Sequence, residues 1–259
     1  MSQGLAANVN YQYAFKEGGS AFDGFSYGRT NTPTANVRHA IKFQADWTIP
    51  FGRGQKYGAD MNRGLDLIAG GWSVNVVGRA QRVLQDLGNV KLVGMDKAEL
   101  QAMYEYQYRP NPTTGLTEVW MLPEDVILNT RRAFTTDSTT VGGYSTTLGV
   151  PTGKYIAPAN SATCLQERPG DCAPRSTLIL APWFFRLDFG ATKRFAIKGR
   201  MNFEIRFDLL NLFDNINFNP VSNPGTSQNI FKVTSAYTDA SNTYDPGGRI
   251  GQLMFRFSW

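Results

Sequence analysis

His39 is the chain's single imidazole, and that scarcity bounds its chemistry at once. A Ser–His–Asp site would have to be built on it. His39 falls at the end of a strand pattern on an otherwise apolar face, so no catalytic constellation is expected and the chain reads as a non-enzyme. Phe51-Gly52-Arg53-Gly54 lacks the spacing and the Lys-Ser/Thr of a phosphate loop. Asp214, Asn215 and Asn217, or Asp239 and Asp245, carry calcium-type oxygens, yet tight turns use the same residues, and no metal or cofactor is expected. Cys164 and Cys172 lie eight apart in CLQERPGDC. In an oxidising compartment they would close a short loop disulfide; the plain alternative is two free thiols.

The strongest candidate for ligand contact is the long segment 83–182. Asp96 and Glu99 form a capping box opening DKAELQAMYEY, which predicts a short helix. It runs into Tyr104, Tyr106, Tyr108 and Arg109. These could stack on a sugar or siderophore-like solute, or pack the loop against itself. The net charge of +5 invites a nucleic-acid reading, but Lys and Arg are scattered, with no run of five like charges, so no nucleic-acid partner is expected.

Behind these residues lie elements of one repeated design. In the last residues, RIGQLMFRFSW, Leu253, Phe255, Phe257 and Trp259 share one strand face while Gln252, Met254, Arg256 and Ser258 share the other. The same period of two recurs at 5–15, 37–49, 72–82, 183–195 and 200–213, with 249–259 completing six strands. One face carries Val9, Phe43, Trp47, Val76, Phe189 and Phe207; the other carries full charges mid-strand. No run of 18 apolar residues exists for a membrane helix, and mean hydropathy is −0.31. Barrel strands, however, hide apolar content by alternation. The predicted strands exceed the roughly 5–6 residues of a globular strand and meet the roughly 9–11 needed to cross a bilayer at a tilt. The expected class is therefore all-β: a six-strand antiparallel section of a transmembrane β-barrel, its apolar face on outer-membrane lipid.

On that reading Arg38, Lys42, Arg79, Arg186, Arg194, Arg200, Arg206 and Arg256 face a wet lumen with Asp46, Asp188, Glu204 and Asp208. Their cationic excess would meet an acidic plug surface or attract anionic solutes. His39, Arg82 and Lys193 break the apolar face only near strand ends, where they would snorkel. The long links 16–36, 83–182 and 214–248 fall at one end and the links 50–71 and 196–199 at the other, as external loops and periplasmic turns do. Trp47, Trp72 and Trp259 would form one aromatic girdle, and Tyr13, Trp183 and Phe213 the other. Charge pairing predicts a register with Arg186 opposite Asp208 and Asp188 opposite Arg206, closed by a loop at Ala196–Lys198 with Gly199 as a bulge.

DWTIPFGRGQKYG, IAGGWSVNVVGRAQ, APWFFRLDFGATKRFAI and RMNFEIRFDLLNLFDNINFNPV, with the terminal aromatic strand, resemble the C-terminal barrel of TonB-dependent outer-membrane receptors. They are most similar to the Oar-like group with a carboxypeptidase-regulatory-like N-terminal domain. The most specific match is Asn211–Phe218 (NLFDNINF); the likeness covers 36–82 and 180–259 and only weakly the insertion. It implies a 22-stranded barrel around a plug, moving large solutes with energy from TonB and assembled by the barrel assembly machinery through its terminal strand. The chain departs from the family in having six strands and no signal peptide, TonB box or plug. The expectation is a fragment whose plug and remaining strands lie elsewhere, because about eight strands are the fewest that close a barrel. The competing expectations are a secreted all-β carbohydrate- or ligand-binding module, which would purify without detergent, and a small self-associating porin or adhesin.

Overall fold

The computed structural model describes residues 4–15, 19–23, 28–32, 37–162, 164, 165, 167, 171, 172, 176–198, 201–238 and 247–259; for 19–23, 28–32 and 198 it describes the backbone only. In chain order the elements are β1 (Leu5–Tyr13), β2 (Gly19–Asp23), β3 (Gly28–Thr32), β4 (Val37–Thr48), α1 (Arg63–Ala69), β5 (Trp72–Asp86) and β6 (Val90–Val93). Then follow α2 (Lys97–Met103), β7 (Gln107–Pro110), β8 (Thr117–Trp120), α3 (Glu124–Phe134), β9 (Tyr155–Pro158) and β10 (Leu178–Leu180). The last are β11 (Phe184–Lys198), β12 (Met201–Leu210), β13 (Lys232–Val233) and β14 (Ile250–Ser258).

Six long strands form one antiparallel sheet in the order β1-β4-β5-β11-β12-β14, with β10 extending the end of β5. The sheet is open: β1 and β14 are its edges and do not meet. Alternation holds through every ladder. Val9 faces Phe43, Ala45 faces Val76, Phe189 faces Leu209 and Ile205 faces Phe255 on one side. Asn10 faces Lys42, Arg186 faces Arg79 and Glu204 faces Arg256 on the other. Gly78 sits opposite Phe43, whose ring covers the site a side chain there would fill, so the bare glycine is what lets the aromatic lie flat on the sheet.

The apolar face carries no second protein layer among the described residues. Val9 is 71% exposed, Phe255 61%, Phe257 49% and Phe207 42%. Aromatics gather at its margins: Tyr13, His39 and Trp183 form a row with centroid distances of 5.1 and 6.1 Å across β1, β4 and the entry to β11. Pairing puts the links 14–36, 87–183 and 211–249 at one end of the sheet and 49–71 and 199–200 at the other.

Two expectations need correction here. The β11–β12 register is shifted by four from the charge-paired one: Gly190 lies opposite Asp208, Thr192 opposite Arg206 and Arg194 opposite Glu204. An even shift leaves each side chain on its face, so the hydrophobic pattern is satisfied either way. The acids find partners two residues along their own strands instead, Arg186 Nε to Asp188 at 3.0 Å and Arg206 Nε to Asp208 at 2.9 Å. Strand β11 runs on to Lys198 with a bulge after Ala196, where a loop was expected; Gly199 and Arg200 lie outside the described residues. Lys193, the second correction, does not snorkel. It is buried over Trp72 and Phe195, and its Nζ donates to the Gly70 carbonyl and, at 3.4 Å, to those of Asp66 and Ile68. The ammonium thus joins the carbonyls at the C-terminus of α1, where those of Asp66 and Ile68 also accept from Gly70 N and Trp72 Nε1. Asn62 caps the other end of α1 by accepting from Leu65 N at 2.9 Å. This helix is why the 50–71 link is longer than a turn.

The long links are not loose. Segments 87–162 and 218–233 build a cap with its own core: Leu100, Tyr104, Met121, Leu122, Ile156 and Phe231 are inaccessible to solvent or nearly so. Full burial of such side chains contributes about 1.5–3 kcal/mol each. The predicted capping box is present, Asp96 accepting from Glu99 N at 2.7 Å and Glu99 from Asp96 N at 3.1 Å. Helix α3 and the pairs β6–β9, β7–β8 and β8–β13 were not foreseen.

Candidate functional site: the charged face and the cap above it

The register turns the polar face into rows of side chains across the strands. One row runs Lys42, Arg79, Arg186 over β4, β5 and β11, three cations directly opposite one another. The next runs Gln44, Val77, Asp188, and the one after it Asp46, Asn75, Gly190, Asp208, Gln252. Near the short-link end Arg194, Glu204 and Arg256 alternate in sign, with Arg194 Nε 2.8 Å from Glu204. The acids are engaged. Asp46 accepts from Gln44 at 2.8 Å and Asn75 at 3.3 Å, and Asp188 accepts from Arg186 and from Asn211 N at 2.7 Å. Like charges side by side disfavour the ladder unless something offsets them, so the cationic row is the unbalanced feature of this face.

Lys42, Arg79, Arg186, Asp188, Glu204, Arg206, Asp208 and Arg256 all alternate onto the one charged face. Arg38 departs from expectation. A register shift between Val37 and His39 draws it inward, where it is buried; Nη1 donates to Ala14 O at 2.6 Å and the guanidinium lies over the Tyr13 ring. It fastens the end of β1 instead of joining the charged rows.

Above the cationic row lies a pocket of about 240 Å³, floored by Val77 and Gly78 and walled by Arg79, Arg186, Asp188, Phe184 and Tyr237. Arg79 stacks on Phe184 at 4.7 Å, Arg186 lies 5.9 Å over Tyr237, and the two rings meet edge to face at 5.3 Å. Sequence reasoning missed Phe184 and Tyr237. The available signal was Phe184 itself, an aromatic on the parity that carries charges. Tyr237 reaches the site through the Asn211–Phe218 segment. Asn211 and Asp214 adopt left-handed φ of 53° and 56°, a conformation that Asn and Asp tolerate best. Asn211 Nδ2 donates to the carbonyls of Asn215 and Gly247, Asn217 Oδ1 accepts from Phe185 N at 2.9 Å, and Asn217 O accepts from Tyr237 N at 2.7 Å. Asp214 Oδ1 accepts from Arg249 N at 2.8 Å. Of the side-chain oxygens weighed as calcium donors, those of Asp214 and Asn217 thus accept from backbone N–H groups; Asp239 and Asp245 lie outside the described residues.

Most of the expected ligand-contact loop is turned inward. Tyr104 is fully buried with its hydroxyl donating to Val221 O at 2.6 Å, and Tyr106 donates to Phe218 O at 2.8 Å. Burial pushes the Tyr104 hydroxyl far above its ordinary value and that of Tyr106 up to about 12, so both remain neutral donors. Arg109 donates to Leu122 O and lies over Trp120; desolvation lowers its pKa. These three pack the cap against itself, and only Tyr108 presents a ring to solvent. Cys164 and Cys172 are joined as a disulfide.

A sheet with a bare aromatic face, a charged opposite face and its two longest links, 87–183 and 211–249, at one end defines a protein of the outer-membrane β-barrel class. Residues 1–252 match the model of the family described as outer membrane beta barrel domain, and the chain belongs to that family, with the outer membrane as its location. No curated protein and no solved structure matches it.

Proposed function

We propose that the chain is the C-terminal section of the barrel of a TonB-dependent receptor, moving large solutes across the outer membrane without acting as an enzyme. The observation that carries this reading is an open sheet with one greasy and one heavily charged face. In lipid every strand edge must be paired, so β1 and β14 need further strands. In a barrel of the 22 strands that the resemblance implies, the completed wall would enclose a lumen wide enough to need an internal plug. The cationic surplus on Lys42 and Arg79 suits an acidic plug surface or anionic cargo. The exposed β14, bearing Leu253, Phe255, Phe257 and Trp259, is the strand offered to the barrel assembly machinery. A secreted aqueous module would have to solvate the bare aromatic face.

The test is a photo-crosslinking amino acid at Thr192, on the charged face, in intact cells producing the full polypeptide. Crosslinks to a plug segment are expected, together with solute uptake that ceases when TonB is removed. An outer-membrane protein with neither would remove the TonB assignment and leave a passive barrel.

A further inference from the structure

We propose that the pocket at Arg79 binds a single carboxylate or phosphate carried on a flat apolar group, a specificity subsite on the wall of the passage; the proposal rests on reading the charged face as water-filled. Three observations converge. Arg79 Nε is buried and has no hydrogen-bond partner among the described residues, although buried donors of this kind are nearly always satisfied. Asp188, the only carboxylate among the described residues lining the pocket, is already shared between Arg186 and the backbone of Asn211, which leaves Arg79 as the uncompensated cation among them. Lys42 stands directly opposite Arg79 on β4 and strengthens the positive field. An anionic oxygen on Arg79 would satisfy the orphaned donor and offset one of the row's two remaining positive charges.

The ligand's body follows from the walls. Phe184 and Tyr237 hold the two guanidinium planes by ring contacts and leave an aromatic surface beside the cation. Pockets for whole drug-sized molecules run from roughly 300 Å³ upward. At about 240 Å³ this one suits one ring with one acidic group, the end of a larger solute.

The experiment titrates the full polypeptide, extracted from outer membranes in detergent with its barrel complete, with benzoate, benzyl alcohol and inorganic phosphate, following binding by calorimetry. Benzoate should bind at least tenfold more tightly than benzyl alcohol and more tightly than phosphate. Arg79→Gln should weaken benzoate by roughly tenfold to a hundredfold, the range expected for losing a charge-assisted bond, and leave benzyl alcohol unchanged. Arg79→Lys should recover part of the benzoate affinity. Phe184→Leu should weaken both aromatic probes. Equal affinity for benzoate and benzyl alcohol, or unaltered benzoate binding in a folded Arg79→Gln chain, overturns the subsite. A phosphate affinity equal to that of benzoate removes the flat apolar group from the proposal. If the chain folds and stays soluble without detergent, the passage reading fails instead, and the pocket's anion preference stands or falls by the same titration.

Discussion

The sheet and the cap spend the same residue types in opposite ways. Cap strands are two to four residues long, and the cap as a whole builds an inward core, with Leu100, Tyr104 and Phe231 at 0% exposure. Sheet strands run nine to fifteen residues, and their aromatics point out, with Phe255 more than half exposed. Each pattern minimises free energy in a different solvent. Water forces the cap to bury its aliphatics and to give buried hydroxyls a carbonyl partner. Hydrocarbon asks the reverse of the sheet and also demands that strands be long enough to cross it. One chain thus holds a small water-soluble globule seated on a membrane wall.

Substitutions should separate the two regions. Leu100→Ala empties a fully buried site and should cost the cap about 2–5 kcal/mol. Hydrogen exchange should then show faster amides in α2, β8 and α3, with the β5, β11 and β12 ladders unaltered. Equal loosening of both would mean they fold as one unit. Phe255→Arg should cost about 2–4 kcal/mol in urea titrations of lipid-refolded protein, because a charge enters the hydrocarbon belt. Gln252→Arg, on the other face of the same strand, should stay within about 0.5 kcal/mol. If the two replacements cost the same, the faces are not in different solvents.

How much was legible follows from the same contrast. Alternation is a local signal, so the six strands and their faces were readable from residues such as Phe203, Ile205 and Phe207 against Glu204, Arg206 and Asp208. Register was not, because every even shift preserves faces, and the charges expected to choose among registers are satisfied along their own strands. The cap's core was hidden for a different reason. Tyr104 and Tyr106 find their carbonyl partners 117 and 112 residues away, at Val221 and Phe218, and nothing near them in sequence announces that. Lys193 looked like a snorkelling cation because the helix end that receives it lies in a link that pattern reading treats as a turn. Burial of Arg79 Nε was equally out of reach, since it depends on Phe184 and on a tyrosine from the far side of the Asn211 turn.

The smallest expected effect lies wholly within the cap and is a matter of pH. Glu118 on β8 accepts from Lys232 on β13 at 2.7 Å and from Asn111 at 2.7 Å. The Lys232 bond first, then that from Asn111, holds its carboxyl below the ordinary value of 4.5. A carboxyl whose folded value is depressed adds stability that is fully present above the ordinary value and fades as pH falls through the lower folded one. Amide exchange at Lys232 and Val233, corrected for its intrinsic pH dependence, should therefore quicken only below about pH 4.5. The sheet ladders should show no matching step. Glu118→Gln keeps the Asn111 and Lys232 geometry without the charge and should abolish the step while leaving the β8–β13 pair formed. An acid step that survives Glu118→Gln would remove it from Glu118 and point to Glu99, whose carboxyl the Lys154 bond also holds low.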